Sequence, residues 1–197
     1  MAVEKGKDWG RPGTLPPSTQ VASSDAEAAQ LVVDGESTIA VQAGDLARTL
    51  GIRLPYDVAG PKHLVPIDAI SVELDDASTH VALAHVVLGH PVASRESFAI
   101  MNAAFWQGRN AAPRAHPGDG KLDVVQMQLG AADRIKAWQR MTTGTHVPHP
   151  DIKISRVPAG QVQGQRRRSV WVDGRRVGRS RWVRYQVIVE AVTVGVS

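Results

Sequence analysis

The alternation of apolar and polar positions is clearest in the second two thirds of the chain. Residues 70–74 alternate strictly between aliphatic and polar side chains, which predicts a half-buried strand. The runs 81–88 and 98–105 are apolar on both faces, which is typical of strands that are covered on each side. Residues 122–129 alternate again, so we expect a strand whose glutamine face meets solvent.

Three segments carry helical signals. The serine pair 23–24 precedes the run 25–33, whose first turn is acidic, and this predicts a capped helix. Residues 44–51 predict a shorter helix that ends at its terminal glycine. Residues 131–141 predict a basic amphipathic helix that packs on a sheet, with contact to a membrane surface as the alternative. The apolar stripe of this last helix consists of Ile135, Trp138 and Met141.

The C-terminal third predicts a hairpin followed by a strand with a register break. Strand-like runs at 169–172 and 182–189 flank a segment that contains Asp173-Gly174 and several arginines, which predicts a hairpin with a basic turn. The alternation over residues 192–196 is displaced by one position after Glu190-Ala191. This displacement predicts a β-bulge.

Many short strands, one inserted helix and Asp-Gly turns together predict a mainly β, α+β fold. We expect an antiparallel β-sandwich preceded by a small α/β segment. Further short strands are predicted at 38–41 and 152–154. The expected organisation is an irregular N-terminal arm over residues 1–20, the small α/β segment over 21–60 and the β-sandwich over 61–197.

The composition is that of an ordinary globular protein. Of the 197 residues, 43% are hydrophobic and 21% are charged, and the chain has room for one domain of common size. No cysteine is present, which excludes a disulfide framework and thiolate chemistry. The sequence has no signal-like N-terminal segment and no apolar window of ~18 residues. We therefore expect a cytoplasmic protein without a transmembrane segment, with peripheral association to a membrane left open.

The formal net charge is +4, and the basic residues are unevenly placed. Eight arginines lie between residues 166 and 184. Because a guanidinium group matches the geometry of phosphate, this segment predicts binding to an anionic lipid, a phosphorylated small molecule or a nucleic acid. A solvated hairpin face is the alternative. The candidate phosphate-binding residues are Arg166, Arg167, Arg168, Arg175, Arg176 and Arg179.

The stretch 102–125 carries the most specific motif, because it places a Pro-Gly-Asp-Gly turn directly before an alternating strand. Together with Gly144-Thr145-His146 and Asp173-Gly174, it resembles the C-terminal domain of the bacterial diacylglycerol kinase and sphingosine kinase-like lipid kinases, within the NAD kinase/diacylglycerol kinase-like superfamily. Residues 44–51 resemble the end of the GTxNDLARxLG element of these kinases. The resemblance implies the same β-sandwich in a shortened, divergent and actinobacterial-looking form. It also implies that residues 21–60 are a remnant of a nucleotide-binding lobe.

The loop 116–123 is a candidate cation site. Its residues alone are consistent either with a simple turn or with a loop that presents oxygen ligands to a hard cation such as Mg²⁺. The resemblance implies a structural Mg²⁺ ion, bound by the side chain of Asp119 and by the main-chain carbonyl groups of His116 and Lys121.

The chain departs from the kinase pattern at positions that matter for chemistry. No GGDGT turn occurs in residues 1–43, so the triphosphate loses its backbone cradle and we do not expect ATP binding. The glycine, threonine and asparagine that the family has before Asp45 are also missing. Where the resemblance implies an Asp-Gly-Glu sequence with a glutamate base, this chain has Asp173-Gly174-Arg175. An arginine cannot accept the proton of a lipid hydroxyl.

Three functions follow from these observations. The first is a non-catalytic protein of the lipid kinase type that binds an anionic lipid, a phosphorylated ligand or a protein partner. The second is lipid kinase activity completed by a partner chain, with Asp119, Asp123 and Asp173 still supporting phosphoryl transfer. The third is nucleic-acid binding through the arginine-rich hairpin. A homodimer that covers the edge strands of the sandwich is compatible with each of them.

The histidines do not predict a metal centre. His146 and His149 lie close together in sequence, but no cysteine or third histidine has a recognisable zinc spacing. His80, His85 and His90 recur every five residues, which places them on alternate faces of a strand. We therefore expect these side chains to be scattered.

Overall fold

The computed structural model describes residues 9–196, and its main feature is one large, mostly antiparallel sheet. In chain order the strands are β1 Arg11–Gly13, β2 Val21–Ala22, β3 Thr38–Val41, β4 Lys62–Leu74, β5 Thr79–Ala82, β6 His85–Leu88, β7 Glu96–Met101, β8 Phe105–Trp106, β9 Arg109–Asn110, β10 Leu122–Gln128, β11 Ile152–Val157, β12 Ala159–Val172 and β13 Arg175–Val196. The helices are α1 Asp25–Val33, α2 Asp45–Thr49 and α3 Ala131–Arg140, the last followed by a 3₁₀ turn at Met141–Thr143.

The strands follow the order β1-β4-β13-β12-β6-β7-β10-β11 across the sheet. The long strands β4 and β13 form its centre and pair antiparallel from Val183 opposite Leu74 to Val196 opposite His63. Strand β5 pairs with β4, and β3 joins β13 in parallel. Strands β8 and β9 form a separate small hairpin. This arrangement confirms the predicted mainly β, sandwich-like fold.

Apolar side chains from both halves of the curled sheet meet in its interior. Ile70 and Leu74 from β4, Leu88 from β6, Ile100 from β7 and Val170 from β12 belong to one fully buried cluster. These residues come from segments far apart in sequence, so the core forms only when the sheet is complete. Burial of such side chains contributes about 1.5–3 kcal/mol each.

Strands β12 and β13 form the predicted basic hairpin. Its turn consists of Asp173 and Gly174, whose φ angles are 46° and 80°, as a two-residue turn of type I′ requires. The strands are longer than the sequence pattern predicted, because they continue through polar and arginine-rich positions. The register shifts between Gln163 and Arg168, which places a bulge within the arginine-rich part of β12.

A second bulge interrupts β13, as the displaced alternation predicted. The pairing of β13 with β4 shifts register between Ile188 and Val192, and Glu190 adopts a φ of 52°. The amide of Glu190 donates a hydrogen bond to Oδ1 of Asp68 at 2.9 Å. Oδ2 of the same side chain accepts the amide of Gly120 at 2.7 Å. The fully buried Asp68 thereby joins the bulge to the turn before β10.

The N-terminal part of the described chain packs on the sheet. Oγ of Ser24 accepts the amide of Glu27 at 3.2 Å, which confirms the predicted cap of α1. Ile39 of β3 and Leu46 of α2 share one apolar cluster with Ile67 of β4 and Val194 of β13. Because this cluster crosses residue 60, the boundary between an α/β segment and a sandwich stays a prediction.

The predicted irregular arm over residues 1–20 is only partly irregular. Residues 1–8 lie outside the described residues. Within the rest, β1 pairs antiparallel with Lys62–Leu64 at the edge of the sheet. The indole Nε1 of Trp9 donates to the carbonyl of Pro66 at 3.2 Å. A strand of three residues with a proline and a glycine has no alternation to read, so the sequence pattern could not reveal it.

The expected packing face of α3 needs a correction. Ile135 is 53% exposed, whereas Ala137 and Met141 are buried and Trp138 is partly buried. Arg134 lies near the start of α3. Its side chain points towards the protein and donates to the carbonyl groups of Val92 at 2.8 Å and Leu129 at 3.1 Å. The helix therefore packs mainly through its C-terminal half, and the Ile-Trp-Met stripe is only partly its buried face.

Replacing Asp68 by alanine tests the link between the bulge and the turn. The Asp68→Ala change leaves two main-chain amides without their acceptor, and we expect it to lower the free energy of unfolding by about 2–4 kcal/mol. Urea denaturation followed by circular dichroism measures this. Asp57→Ala is the control, since among residues 9–196 that exposed carboxylate bonds only to the amide of Ala59, and we expect a loss below about 1 kcal/mol. Equal losses in both variants would contradict the role of Asp68.

Candidate functional site

Four buried ionisable side chains lie together between α1, α2 and the sheet: Asp25, Asp45, His85 and Asp173. Nε2 of His85 lies 3.1 Å from Oδ2 of Asp45. Asp25 and Asp173 act on the imidazole through their charge. Burial opposes a charged His85, but these carboxylates outweigh it and raise the pKa of the histidine. The three aspartates therefore favour the charged form of the imidazole.

Asp25 holds the start of α2 from a distance of 20 residues along the chain. Its oxygens accept the amides of Asp45 at 2.7 Å and Leu46 at 2.9 Å. Gly44 precedes the helix with a φ of 107°, and a Cβ atom there would lie 2.3 Å from Oδ1 of Asp25. Glycine is therefore required at this position. Burial raises the pKa of Asp25, although the two amides and His85 oppose this effect.

Asp45 connects the same helix to the β8–β9 hairpin. Its carboxylate accepts the amides of Gln107 at 2.7 Å and Gly108 at 2.8 Å, in addition to the bond with His85. Burial alone would raise the pKa of Asp45, but the hydrogen bonds from His85, Gly108 and Gln107 outweigh burial and lower it. Asp45 is therefore ionised, and both of its oxygens are occupied.

Asp173 occupies the turn of the β12–β13 hairpin and faces inward. It accepts the amides of Leu83 at 2.7 Å, Ala84 at 2.9 Å and His85 at 2.9 Å. These bonds replace sheet pairing and divide the apolar run 81–88 into β5 and β6, where the sequence predicted one strand. Burial raises the pKa of Asp173 to about 6, against the opposing charge of His85.

The cluster has the residue types of a metal site, but its carboxylates bind main-chain amides. One ligand atom each from Asp25, Asp45 and His85 lie within 4.8 Å of one another. All four carboxylate oxygens of the two aspartates accept main-chain amides. Each of these residues is at most 8% exposed. The arrangement therefore joins α2, the β8–β9 hairpin and the sheet.

A groove of about 410 Å³ lies on the outer side of this cluster, between α1, β5 and the tip of the β12–β13 hairpin. Arg175 and Arg176 line it beside Asp173. Its opposite wall contains Ala29 and Val33 of α1. Within residues 9–196, neither arginine forms an ion pair, so both guanidinium groups face solvent without a neutralising carboxylate. This groove is the candidate anion site.

The other predicted arginines are divided between ion pairs and solvent. Arg167 pairs with Asp75 at 2.5 Å, and Arg168 lies 3.5 Å from Glu96. Arg179 donates to the carbonyl of Arg167 at 3.1 Å. Arg166 is exposed. The six predicted residues therefore do not converge on one ligand, and Arg175 and Arg176 are the pair that shares a groove.

The loop before β10 contains the predicted cation ligand Asp119. Oδ1 of Asp119 accepts the amide of Lys121 at 3.1 Å, and Oδ2 forms an ion pair with Arg156 of β11. Because the amide of Lys121 and the guanidinium group of Arg156 already engage both side-chain oxygens of Asp119, these residues in this arrangement do not fit a Mg²⁺ ion, which needs near-octahedral oxygen ligands. The magnesium site formed by Asp119, His116 and Lys121 stays a prediction.

Asp123 lies two positions into β10 and faces a cleft of about 590 Å³. Arg114 and Arg156 line the same cleft. Asp123 is 3% exposed, and its Oδ2 has no hydrogen-bond partner among the described residues and lies 3.7 Å from Nε of Arg156. Burial raises the pKa of Asp123 to about 6, although Arg114 opposes this effect.

Comparison with known families identifies the family of the chain. The family model of the YegS C-terminal NAD kinase beta sandwich-like domain matches residues 32–196. The chain belongs to this family. The match begins within α1 and includes the buried cluster from Asp45 onwards, the Asp119 loop and the whole β12–β13 hairpin.

Solved structures agree with the family at the level of the fold. A diacylglycerol kinase from Bacillus anthracis str. Sterne has 13% sequence identity and a TM-score of 0.59, over 81% of this chain and 67% of that one. A proposed diacylglycerol kinase from the same organism has 12% identity and a TM-score of 0.64, over 90% of this chain and 77% of that one. No curated protein matches the sequence. None of the helices in residues 9–196 is long and apolar enough to cross a membrane.

The sequence identified the family positions Asp45 and Asp173 but missed their partners Asp25 and His85. The three histidines 80, 85 and 90 do not converge, as expected, yet His85 by itself enters the cluster. His146 is buried and its Nε2 lies 3.1 Å from the carbonyl of Ala111. His149 bonds through Nδ1 to the amide of Asp151 at 3.1 Å. The sequence did carry one indirect signal for Asp25. Gly44 has no side chain that could cap α2, so the cap has to come from another residue.

Removing the imidazolium tests the charge balance of the cluster. His85→Leu leaves three buried carboxylates without their cation, and we expect it to lower the free energy of unfolding by about 3–5 kcal/mol at neutral pH. Chemical denaturation measures the loss. His80→Leu is the matched control, because His80 is half-buried without a carboxylate partner among residues 9–196, and it should cost less than about 1 kcal/mol. A loss of similar size in both variants would mean that His85 acts by packing alone.

The pKa of Asp123 predicts a pH dependence of stability. Because its pKa rises from 3.8 to about 6 on folding, the folded protein binds more protons than the unfolded chain between these values, and this contribution to stability falls as the pH rises through that window. Asp123→Asn removes this titration. We expect the free energy of unfolding of the variant, relative to wild type, to increase by about 2 kcal/mol from pH 4 to pH 6 and to level off above about pH 7. Asp151→Asn, at an exposed carboxylate, is the control for the loss of one negative charge.

Proposed function

We propose that this protein binds an anionic ligand, either the headgroup of an acidic phospholipid or a phosphorylated small molecule, and does not itself transfer phosphate. The observation that carries the proposal is the position of Arg175. It follows Asp173-Gly174, where the resemblance implies a glutamate base, and it lines the groove together with Arg176. A protonated guanidinium at this point attracts phosphate and cannot remove a proton from a hydroxyl group.

The electrostatics of the groove support anion binding. Asp173, the carboxylate that lines the groove, is 6% exposed and directs its oxygens to three main-chain amides. Its pKa is raised to about 6, and the neighbouring His85 has a raised pKa as well. Main-chain amides inside the protein therefore engage the oxygens of Asp173. Arg175 and Arg176 remain as the exposed charges at the groove.

The aspartates at the family's catalytic positions also support a binding role. Both oxygens of Asp45 accept main-chain amides, and one of them also bonds to His85. Both oxygens of Asp173 are engaged in the same way. A general base must offer a lone pair to the proton that it abstracts, and a metal-binding carboxylate must offer one to the ion. Both side chains already give lone pairs to main-chain amides, which leaves them less able to act in either way.

Two other functions remain as outcomes of the tests. A partner chain that supplies a GGDGT lobe would give lipid kinase activity, and the structural neighbours described as diacylglycerol kinases favour including that assay. Nucleic acid would use the same arginines, because it also presents phosphate. It differs in one property, since release of counterions makes its affinity fall steeply with salt.

The groove predicts a specific loss of lipid binding. Wild-type protein should sediment with phosphatidylcholine vesicles that contain phosphatidic acid and not with phosphatidylcholine alone. Arg175→Gln/Arg176→Gln should weaken this binding at least about tenfold, because each charged hydrogen bond to phosphate contributes about 1.5–3 kcal/mol. Lys136→Gln/Arg140→Gln on α3 is the charge-matched control and should change it less than about twofold. Glycerol 3-phosphate as a soluble competitor distinguishes recognition of the free phosphate from recognition of a membrane.

Each alternative function predicts a different experimental result. If the α3 control loses binding and the groove variant does not, the helix is the membrane contact. If a DNA duplex binds with a steep salt dependence and the vesicles do not, the arginines recognise nucleic acid. Transfer of label from radioactive ATP to diacylglycerol by the pure protein would overturn the non-catalytic assignment. If label transfer needs a second chain with a GGDGT lobe, the partner-completed kinase is correct.

A further inference from the structure

We propose that Arg156 is the permanent cation of the Asp119 loop and makes a divalent metal ion unnecessary there. The guanidinium group pairs with Oδ2 of Asp119 from the neighbouring strand β11. It thereby provides, through a covalently attached side chain, the positive charge that the resemblance assigns to Mg²⁺. This inference does not depend on the anion groove.

Strand pairing fixes the position of Arg156. Strands β10 and β11 are antiparallel, and Arg156 lies directly opposite Asp123. Directly opposite residues of paired strands project to the same face. The guanidinium therefore extends along that face towards the loop that precedes β10, with its Nε 3.7 Å from Oδ2 of Asp123. A shift of one residue would place Ser155 or Val157 there, and neither carries a charge.

The conformation of the loop is fixed without an ion. The carbonyl of Pro117 accepts the amide of Asp68 at 2.7 Å, and the amide of Gly120 donates to Oδ2 of Asp68 at 2.7 Å. Gly118 packs against Trp9 so closely that a Cβ atom would lie 2.5 Å from the indole Nε1. A metal ion often has to organise such a loop, but here Asp68 and Trp9 already hold its backbone.

The surrounding charges fit a resident guanidinium. Asp119 and Asp123 both lie within 4.0 Å of nitrogens of Arg156, so one cation serves two carboxylates. An additional divalent ion at Asp119 would have to displace Arg156 or tolerate its repulsion.

The proposal predicts a gain of metal binding when the arginine is removed. Tb³⁺ is a suitable probe, because its luminescence is sensitised by a nearby indole, and the Trp9 ring centroid lies 4.4 Å from that of His116 in the loop. Wild type should give no sensitised luminescence that Mg²⁺ competes away, and its melting temperature should be the same in EDTA and in millimolar Mg²⁺. Arg156→Gln should bind both ions at least about tenfold more tightly than wild type, because Asp119 is then free to coordinate.

Two further variants make the result specific. Arg114→Gln removes the other arginine of the same cleft, which forms no ion pair among residues 9–196, and it should behave like wild type. Asp119→Asn in the Arg156→Gln background should abolish the gained metal response. Wild type that binds Mg²⁺ as tightly as Arg156→Gln would overturn the proposal, and so would an Arg156→Gln variant that folds but binds neither ion.

A variant that keeps Arg156 tests the proposal if Arg156→Gln does not fold. Asp119→Asn alone removes the carboxylate partner of Arg156, so its melting temperature should fall by the same amount in EDTA and in Mg²⁺. A fall that appears only in Mg²⁺ would show that the wild-type loop is stabilised by the metal and would overturn the proposal.

Discussion

The fold depends on buried aspartates that accept main-chain amides from distant segments. Asp25 bonds to the start of α2, Asp45 to the β8–β9 turn, Asp68 to both the β13 bulge and the Asp119 loop, and Asp173 to the break between β5 and β6. Each of these amides is left out of regular pairing by a helix start, a turn or a bulge, and leaving it buried without an acceptor would cost about 1–3 kcal/mol. A carboxylate that accepts two or three amides satisfies them together and connects elements that share no strand pairing.

This use of aspartates has a consequence for chemistry. A carboxylate that bonds to main-chain amides for the fold to persist is held in one position and has fewer lone pairs left for a proton or a metal ion. Asp45 and Asp173 are in this state, and the raised pKa of His85 favours its charged form beside them. The exposed face of the same region carries Arg175 and Arg176. The carboxylates therefore serve the structure, while the surface potential at the groove is set by the arginines.

The sequence predicted the local structure well because local structure follows local patterns. The capped helix α1, the Asp173-Gly174 hairpin and the bulge near Glu190 each have a signal within a few residues, and each is present. The split of residues 81–88 was not predictable, because its cause is a carboxylate about 90 residues away. The exposed Ile135 was not predictable either, since periodicity gives the apolar side of a helix but not how far the protein covers it.

The candidate site was predictable in its family positions and not in its partners. Asp45, Asp119 and Asp173 are recognisable because each stands beside a glycine in a motif that resembles the lipid kinases. Asp25, His85 and Arg156 have no such motif, and they enter the site only because helix packing and strand register bring them there. The resemblance therefore indicated where the site lies, but the charges that determine its behaviour come from residues outside the motifs.

Arg156 and Arg175 both bear on the proposed binding function. In each place a guanidinium stands where the resemblance implies either a metal ion or a carboxylate base. A guanidinium is charged at every physiological pH and cannot dissociate, whereas a metal ion exchanges and a carboxylate can carry a proton. A catalytic cycle needs groups that change state, but a binding site benefits from groups that do not. Two such replacements are more simply explained by a permanent binding function than by a kinase with one altered residue.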